Sequence, residues 1–179
     1  MDTTTETDDD PRATRFGVDG TGIAIDTLAE EDTSSTPGRI VVGIDGSDQS
    51  LDALRRALRI RGDSDAPVEL VAAWQYPNFY GAMTSPDWSP ERDAEELLAD
   101  ATKAVFDETA PAWLTRTTRR GNPAEVLIQE SQGADMLILG SRGHGGFAGL
   151  LLGSVSMACA EHAHCPVLIM HEPAAPHSD

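Results

Sequence analysis

From Arg39 onward, short apolar runs alternate with stretches in which apolar residues recur every three or four positions. "RIVVGID" (39–45) is a β-branched run of strand length. It ends at Gly46 and Ser47, and Ser47 is placed to cap a helix over 48–60, on which Leu51, Leu54, Ala57 and Leu58 share one face. Gly62 and Pro67 punctuate the chain before a second strand, "VELVAAW" (68–74). A stretch rich in turn formers and aromatics (75–88) leads to Ser89 and Pro90. A cap followed by proline opens a second helix, which runs to about Ala110 and stops at Pro111. "AWLTRTTRR" (112–120) is a third strand, polar enough to belong near a sheet edge. "GNP" (121–123) turns the chain, and Asn122 caps a helix over 123–132. "DMLILG" (135–140) is a fourth strand, residues 153–163 a fourth helix and "PVLIM" (166–170) a fifth strand.

Four strand–helix units and a closing strand predict an α/β fold, a doubly wound five-stranded parallel sheet with helices on both faces. Such sheets take ligands beyond the carboxyl ends of the strands, where the strand order reverses. Two strand ends carry suitable chemistry. One is Asp45-Gly46-Ser47 after the first strand. The other is "GSRGHGGFAGLLLGSVS" (140–156), which holds six glycines after the fourth.

Charge narrows the ligand class. The 179 residues include 30 acids and 13 basic residues, for a net charge of −17, and Lys103 is the sole lysine. That field repels nucleic acid and anionic membranes, so neither is expected as a partner. A phosphate ligand must then be held by short-range donors, which backbone N–H groups supply without charge. No window approaches ~18 consecutive apolar residues, so no membrane span is expected. The opening "MDTTTETDDD" lacks the basic and apolar regions of a secretory signal. Cys159 and Cys165 make no disulfide framework, and the reading is a reduced, cytoplasmic protein. Residues 1–38 hold ten acids against Arg12 and Arg15, a net of −8, with few large apolar residues. They read as a mostly disordered tail, with "GIAID" (22–26) as a candidate edge strand. The folded domain is placed at 39–172, with a short tail at 173–179.

Three readings compete for the glycine-rich loop. A dinucleotide fingerprint matches at Gly143, Gly145 and Ala148, with Glu172 as the ribose acid, but it opens the last β-α-β unit rather than the first. A plain connector needs only ~2–6 residues, and the loop is longer. No P-loop motif occurs. The third reading rests on spacing: Gly140 and Gly143 are separated by two residues, nine more follow, and Gly153-Ser154 closes. This G-x2-G-x9-G-[ST] pattern, with "VVGIDGSDQS" and the ending "HCPVLIM", resembles the ATP-binding branch of the universal stress protein family over about residues 39–171.

The resemblance implies strand order 3-2-1-4-5, which makes the first and fourth strands neighbours and brings Asp45 to the glycine loop. It further implies that Asp45 lies by the nucleoside and that the backbone of Ala73 contacts adenine. Leu139 and Gly140 would line base and ribose, Arg142 and Gly143 the phosphates, and Gly153, Ser154, Val155 and Ser156 would cap them. Glycines allow close backbone approach and unusual conformations, and a helix N-terminus suits an anion. The implied ligand is ATP, with magnesium as a possible companion through Asp45. Asp45 also reads as a simple turn residue. Dimerisation through the last strand is implied as well.

Other features stay open at this point. Cys159, His162, His164 and Cys165 cluster in sequence, but their spacing matches no common zinc finger, so no metal ligand set is assigned. His144 reads either as a phosphate contact or as a solvated side chain. Tyr76, Phe79, Tyr80 and Trp88 in the 75–88 stretch read as a lid or as surface packing. No residue is assigned a catalytic role. The expected function is a nucleotide-responsive regulator of stress or dormancy; the rivals are a slow ATP-hydrolysing enzyme and a partner-binding protein with an empty site.

Overall fold

The computed structural model describes residues 38–76, 88–106, 110–143 and 152–171. The tail 1–37 with "GIAID", the stretch 77–87, His144 with Gly145 and Ala148, and Glu172 all lie outside the described residues. The chain runs β1 (Arg39–Gly43), α1 (Asp48–Arg61), β2 (Val68–Trp74), α2 (Pro90–Phe106), β3 (Leu114–Arg120), α3 (Pro123–Glu130), β4 (Ala134–Gly140), α4 (Ser154–His162) and β5 (Val167–Met170). All four strand pairings are parallel, and the order is β3-β2-β1-β4-β5. The polar third strand is therefore an edge, as its composition predicts.

Strand alternation sorts the core onto two faces. Ile40, Val42, Val68, Leu70, Ala72 and Ile138 pack with Ala53, Leu54 and Ala57 of α1 and Ala94, Leu98 and Ala101 of α2. Val41, Val71, Leu137 and Leu139 face the other way, against Val126 and Leu127 of α3 and Cys159 of α4. Every strand of the centre is thus covered twice, which is why β1, β2 and β4 read as nearly unbroken apolar runs.

Local signals set the helix ends. Ser47 accepts from the Ser50 amide at 3.2 Å, and Asn122 accepts from the Ala124 amide at 2.9 Å ahead of Pro123. Beyond α1, Gly62 takes φ 52° and returns its N–H to Leu58 O at 3.0 Å. Among the described residues, differences from the sequence pattern are confined to boundaries. α3 ends at Glu130 rather than 132 because residues 131–133 form a turn that needs φ 67° at Gly133. β3 starts at Leu114 because its amide first closes a turn onto Pro111 O at 3.0 Å. Among the described residues, no helix is long and apolar enough to cross a membrane.

Candidate functional site

The strand order reverses between β1 and β4, and a cleft of about 560 Å³ opens at their carboxyl ends. Ligand sites of small molecules occupy clefts of this size. All ten residues that the resemblance assigns to the ligand line it: Asp45, Ala73, Leu139, Gly140, Arg142, Gly143, Gly153, Ser154, Val155 and Ser156. β1 brings Asp45, β2 brings Ala73, β4 brings Leu139 and Gly140, and α4 presents its N-terminus. Val71, Pro123 and Leu127 add apolar wall that the motif did not point to. Val71 was legible in principle, since it stands two positions before Ala73 on the same face of β2.

The glycines act by closeness rather than by left-handed backbone. Among the described residues, the positive-φ glycines are Gly46, Gly62, Gly121 and Gly133, so Gly140 and Gly143 take ordinary conformations. A Cβ on Gly140 would come within 2.9 Å of Gln49 Cβ, in the first turn of α1. A Cβ on Gly143 would overlap the Asp45 carboxylate. The loop thus leaves β4 flush against the end of β1 and the start of α1. Expected near the nucleoside, Asp45 stands with its Oδ2 toward Gly143, while Oδ1 accepts from the Ser47 amide at 3.0 Å and the Ser47 hydroxyl at 2.6 Å.

Ser141, wholly buried, ties the loop's two ends together. Its amide donates to Met170 O at 2.7 Å, and its carbonyl accepts from the Gly153 amide at 2.7 Å and from Ser156 Oγ at 2.8 Å. The Ser156 hydroxyl also reaches Gly153 O at 3.0 Å, so it is engaged with backbone rather than offered to the cleft. Ser154 is exposed and lines the opening. Gly153 caps α4 without a side-chain hydrogen bond, so the N-cap residue itself leaves the amides of the first turn unsatisfied. Arg142 Nε is buried and has no hydrogen-bond partner among the described residues. A buried unpaired guanidinium donor is costly unless an acceptor joins it.

Sequence reasoning passed over Gln49. Its Oε1 accepts from Ser141 Oγ at 2.9 Å and from the Arg142 amide at 2.8 Å. Since Ser141 Oγ donates there, its contact with His171 Nδ1 at 3.3 Å requires a hydrogen on that nitrogen. A glutamine in the first turn of a helix reads from sequence as a solvated residue, and no local pattern marks it.

Among the described residues, the cysteine–histidine segment gathers no metal-ligand set. No group of three His, Cys, Asp or Glu side chains among the described residues is placed to hold an ion. Cys159 faces the core, and burial pushes its thiol up to about 11. His162 is exposed on α4, and the His164 amide donates to Ser131 Oγ at 2.9 Å.

Comparison with known proteins agrees with this architecture. A model of the universal stress protein family matches residues 37–171. A universal stress protein of Mycobacterium tuberculosis is 35% identical over 136 residues, covering 74% of this chain; the chain spans 45% of that protein's length. One from Methanocaldococcus jannaschii is 31% identical over 142 residues, covering 75% of this chain and 82% of that protein. Among solved structures, the protein UspA of Lactobacillus plantarum superposes with a TM-score of 0.62 at 19% identity, over 76% of this chain and 100% of its own. A universal stress protein in complex with cAMP gives 0.56 at 28% identity, over 76% of this chain and 99% of its own. An Arabidopsis thaliana member with AMP bound gives 0.52 at 22% identity, over 80% of this chain and 100% of its own. The chain belongs to the universal stress protein family.

Proposed function

We propose that the cleft binds ATP and that the chain acts as a nucleotide-responsive regulator. The observation that carries this reading is the convergence of all ten proposed residues on one cleft beside Arg142 Nε, which is buried and has no partner among the described residues. Arg142 Nε calls for an acceptor, and a phosphate oxygen is one. The start of α4, where Gly153 offers no side-chain cap, favours negative charge at the same place. Val71, Ala73 and Leu127 form the apolar wall suited to a base. The cAMP and AMP held by two solved relatives support an adenine ligand. Asp45 is the carboxylate that a magnesium ion would use, with phosphate oxygens completing its shell. Such an ion would also offset the repulsion between that carboxylate and the phosphates.

Regulation is favoured over hydrolysis by what surrounds the proposed phosphates. Backbone amides, Ser154 and Arg142 are binding groups. The sole lysine lies in α2, on the helix layer opposite α3 and α4. Fast phosphoryl transfer needs a positioned base or water-orienting group together with charge-neutralising cations. Nucleotide occupancy then carries the signal. The ligand-binding unit is read as residues 39–172, in a cytoplasmic homodimer that engages neither nucleic acid nor membrane. Denaturing the purified protein and identifying the released small molecule tests the reading. Released adenine nucleotide supports it; a protein that carries none and takes up none defeats it.

A further inference from the structure

We infer that Gln49 sets the start of the glycine loop and does so with a neutral acceptor, so that this end of the cleft accepts polyphosphate. The inference rests on the nucleotide reading above.

Two donors converge on one oxygen. The Ser141 hydroxyl and the Arg142 amide both reach Gln49 Oε1, at 2.9 and 2.8 Å. Ser141 in turn holds the residue to which the loop returns, through its carbonyl and the Gly153 amide. The other bonds of Ser141 run to Met170 of β5, to His171 just beyond it, and to Gly153 and Ser156 at the start of α4; the clasp from α1 is Gln49. Gly140 is the residue that makes room for it, since a Cβ there would meet Gln49 Cβ at 2.9 Å. By fixing the Arg142 amide, Gln49 also fixes the backbone from which that guanidinium extends.

The chemistry of the acceptor carries the second half. A carboxylate would satisfy the same hydroxyl and amide donors, and more strongly. It is also close in size and shape to the amide. This chain, with 30 acids, has the amide instead. Asp45 already stands beside Gly143, and a second carboxylate at position 49, bonded to the amide of Gly143's neighbour Arg142, would compete for that cation and repel phosphate. Glutamine holds the loop without adding charge.

Two variants of the full chain separate geometry from charge. Gln49→Leu keeps the bulk and removes the acceptor; Gln49→Glu keeps the acceptor and adds charge. Two readouts are taken: NMR exchange of the Arg142 amide without ligand, and calorimetric affinity for ATP, AMP and adenosine. The leucine variant is expected to speed Arg142 exchange and to lose about tenfold in ATP affinity, the worth of one good hydrogen bond. The glutamate variant is expected to keep Arg142 protected and to bind adenosine as the parent does. Its loss should grow from AMP to ATP and shrink as salt is added. An unchanged Arg142 exchange rate in the leucine variant overturns the clasp. ATP affinity in the glutamate variant equal to the parent's overturns the charge selection. A parent chain that binds none of the three ligands defeats the nucleotide reading, and the charge selection with it, while the exchange measurement still decides the clasp.

Discussion

At Gly143, the missing side chain is explained by a neighbour: a Cβ there would overlap the Asp45 carboxylate. At Gly140, the neighbour is the first turn of α1. The sequence pattern marks these positions as places of close approach and the resemblance brings Asp45 to the loop, while the pairing of Asp45 with Gly143 and of Gln49 with Gly140 is visible only in three dimensions. Spacing in a motif reports that room is needed and is silent on what fills it. The same limit hid Gln49, whose role depends on Ser141 and Arg142, more than ninety residues away along the chain. Cys159 illustrates a residue whose chemistry burial decides. Burial pushes its thiol up to about 11, well above the ordinary thiol range, through loss of solvent around the thiolate. Ionisation is easier in the unfolded chain, so the stability tied to this thiol is whole below pH 9 and is lost as pH rises toward 11. Thiol titration at neutral pH should therefore find Cys159 unreactive until denaturant is added. Prompt labelling in the native state would show the helix to be open.

Among the elements, α3 and the amino end of the sheet are joined by one arginine. Arg39 Nη2 donates to Glu130 O at 2.7 Å and Gln132 O at 3.3 Å, the carbonyls at the end of α3. Its Nη1 pairs with the Glu69 carboxylate and, at 3.5 Å, with Glu130. Thr117 and Arg119 of β3 join through Glu69 and Glu130, at 2.6 and 2.7 Å. The side chains of Glu69 and Glu130 are only 12% and 14% exposed, so they depend on these partners. Arg39→Ala should cost about 2–3 kcal/mol, the range for charge-assisted bonds to part-buried carboxylates. Arg119→Ala, half exposed, should cost under about 1 kcal/mol. Urea melts of the two variants check the ranking, and equal losses would contradict it. This network was not legible from sequence, where Arg39 reads as the first residue of an apolar strand. The elements themselves were, because short apolar runs and capped amphipathic stretches depend only on near neighbours. The strand order was not: it came through the resemblance, since pairing among strands depends on distant contacts.

For the whole molecule, the open question is what meets the last strand. β5 lies at the sheet edge opposite β3, and its four apolar residues, Val167 to Met170, are each only partly buried. An apolar edge without charged guards favours pairing with another chain, and light scattering should give a dimer mass at micromolar concentration. A monomer would contradict this. The central claim is that the cleft at the β1–β4 crossing receives ATP through the glycine loop. Calorimetry of the full chain with ATP and magnesium, on the parent and on Gly143→Val, tests it most directly. Valine at 143 would push against the Asp45 carboxylate and fill the approach to the loop, while the two cores under the sheet are left untouched. Saturable ATP binding by the parent, lost in a variant that keeps its melting temperature, is the predicted result. Unchanged ATP affinity in that folded variant, or no binding by the parent, would contradict the account.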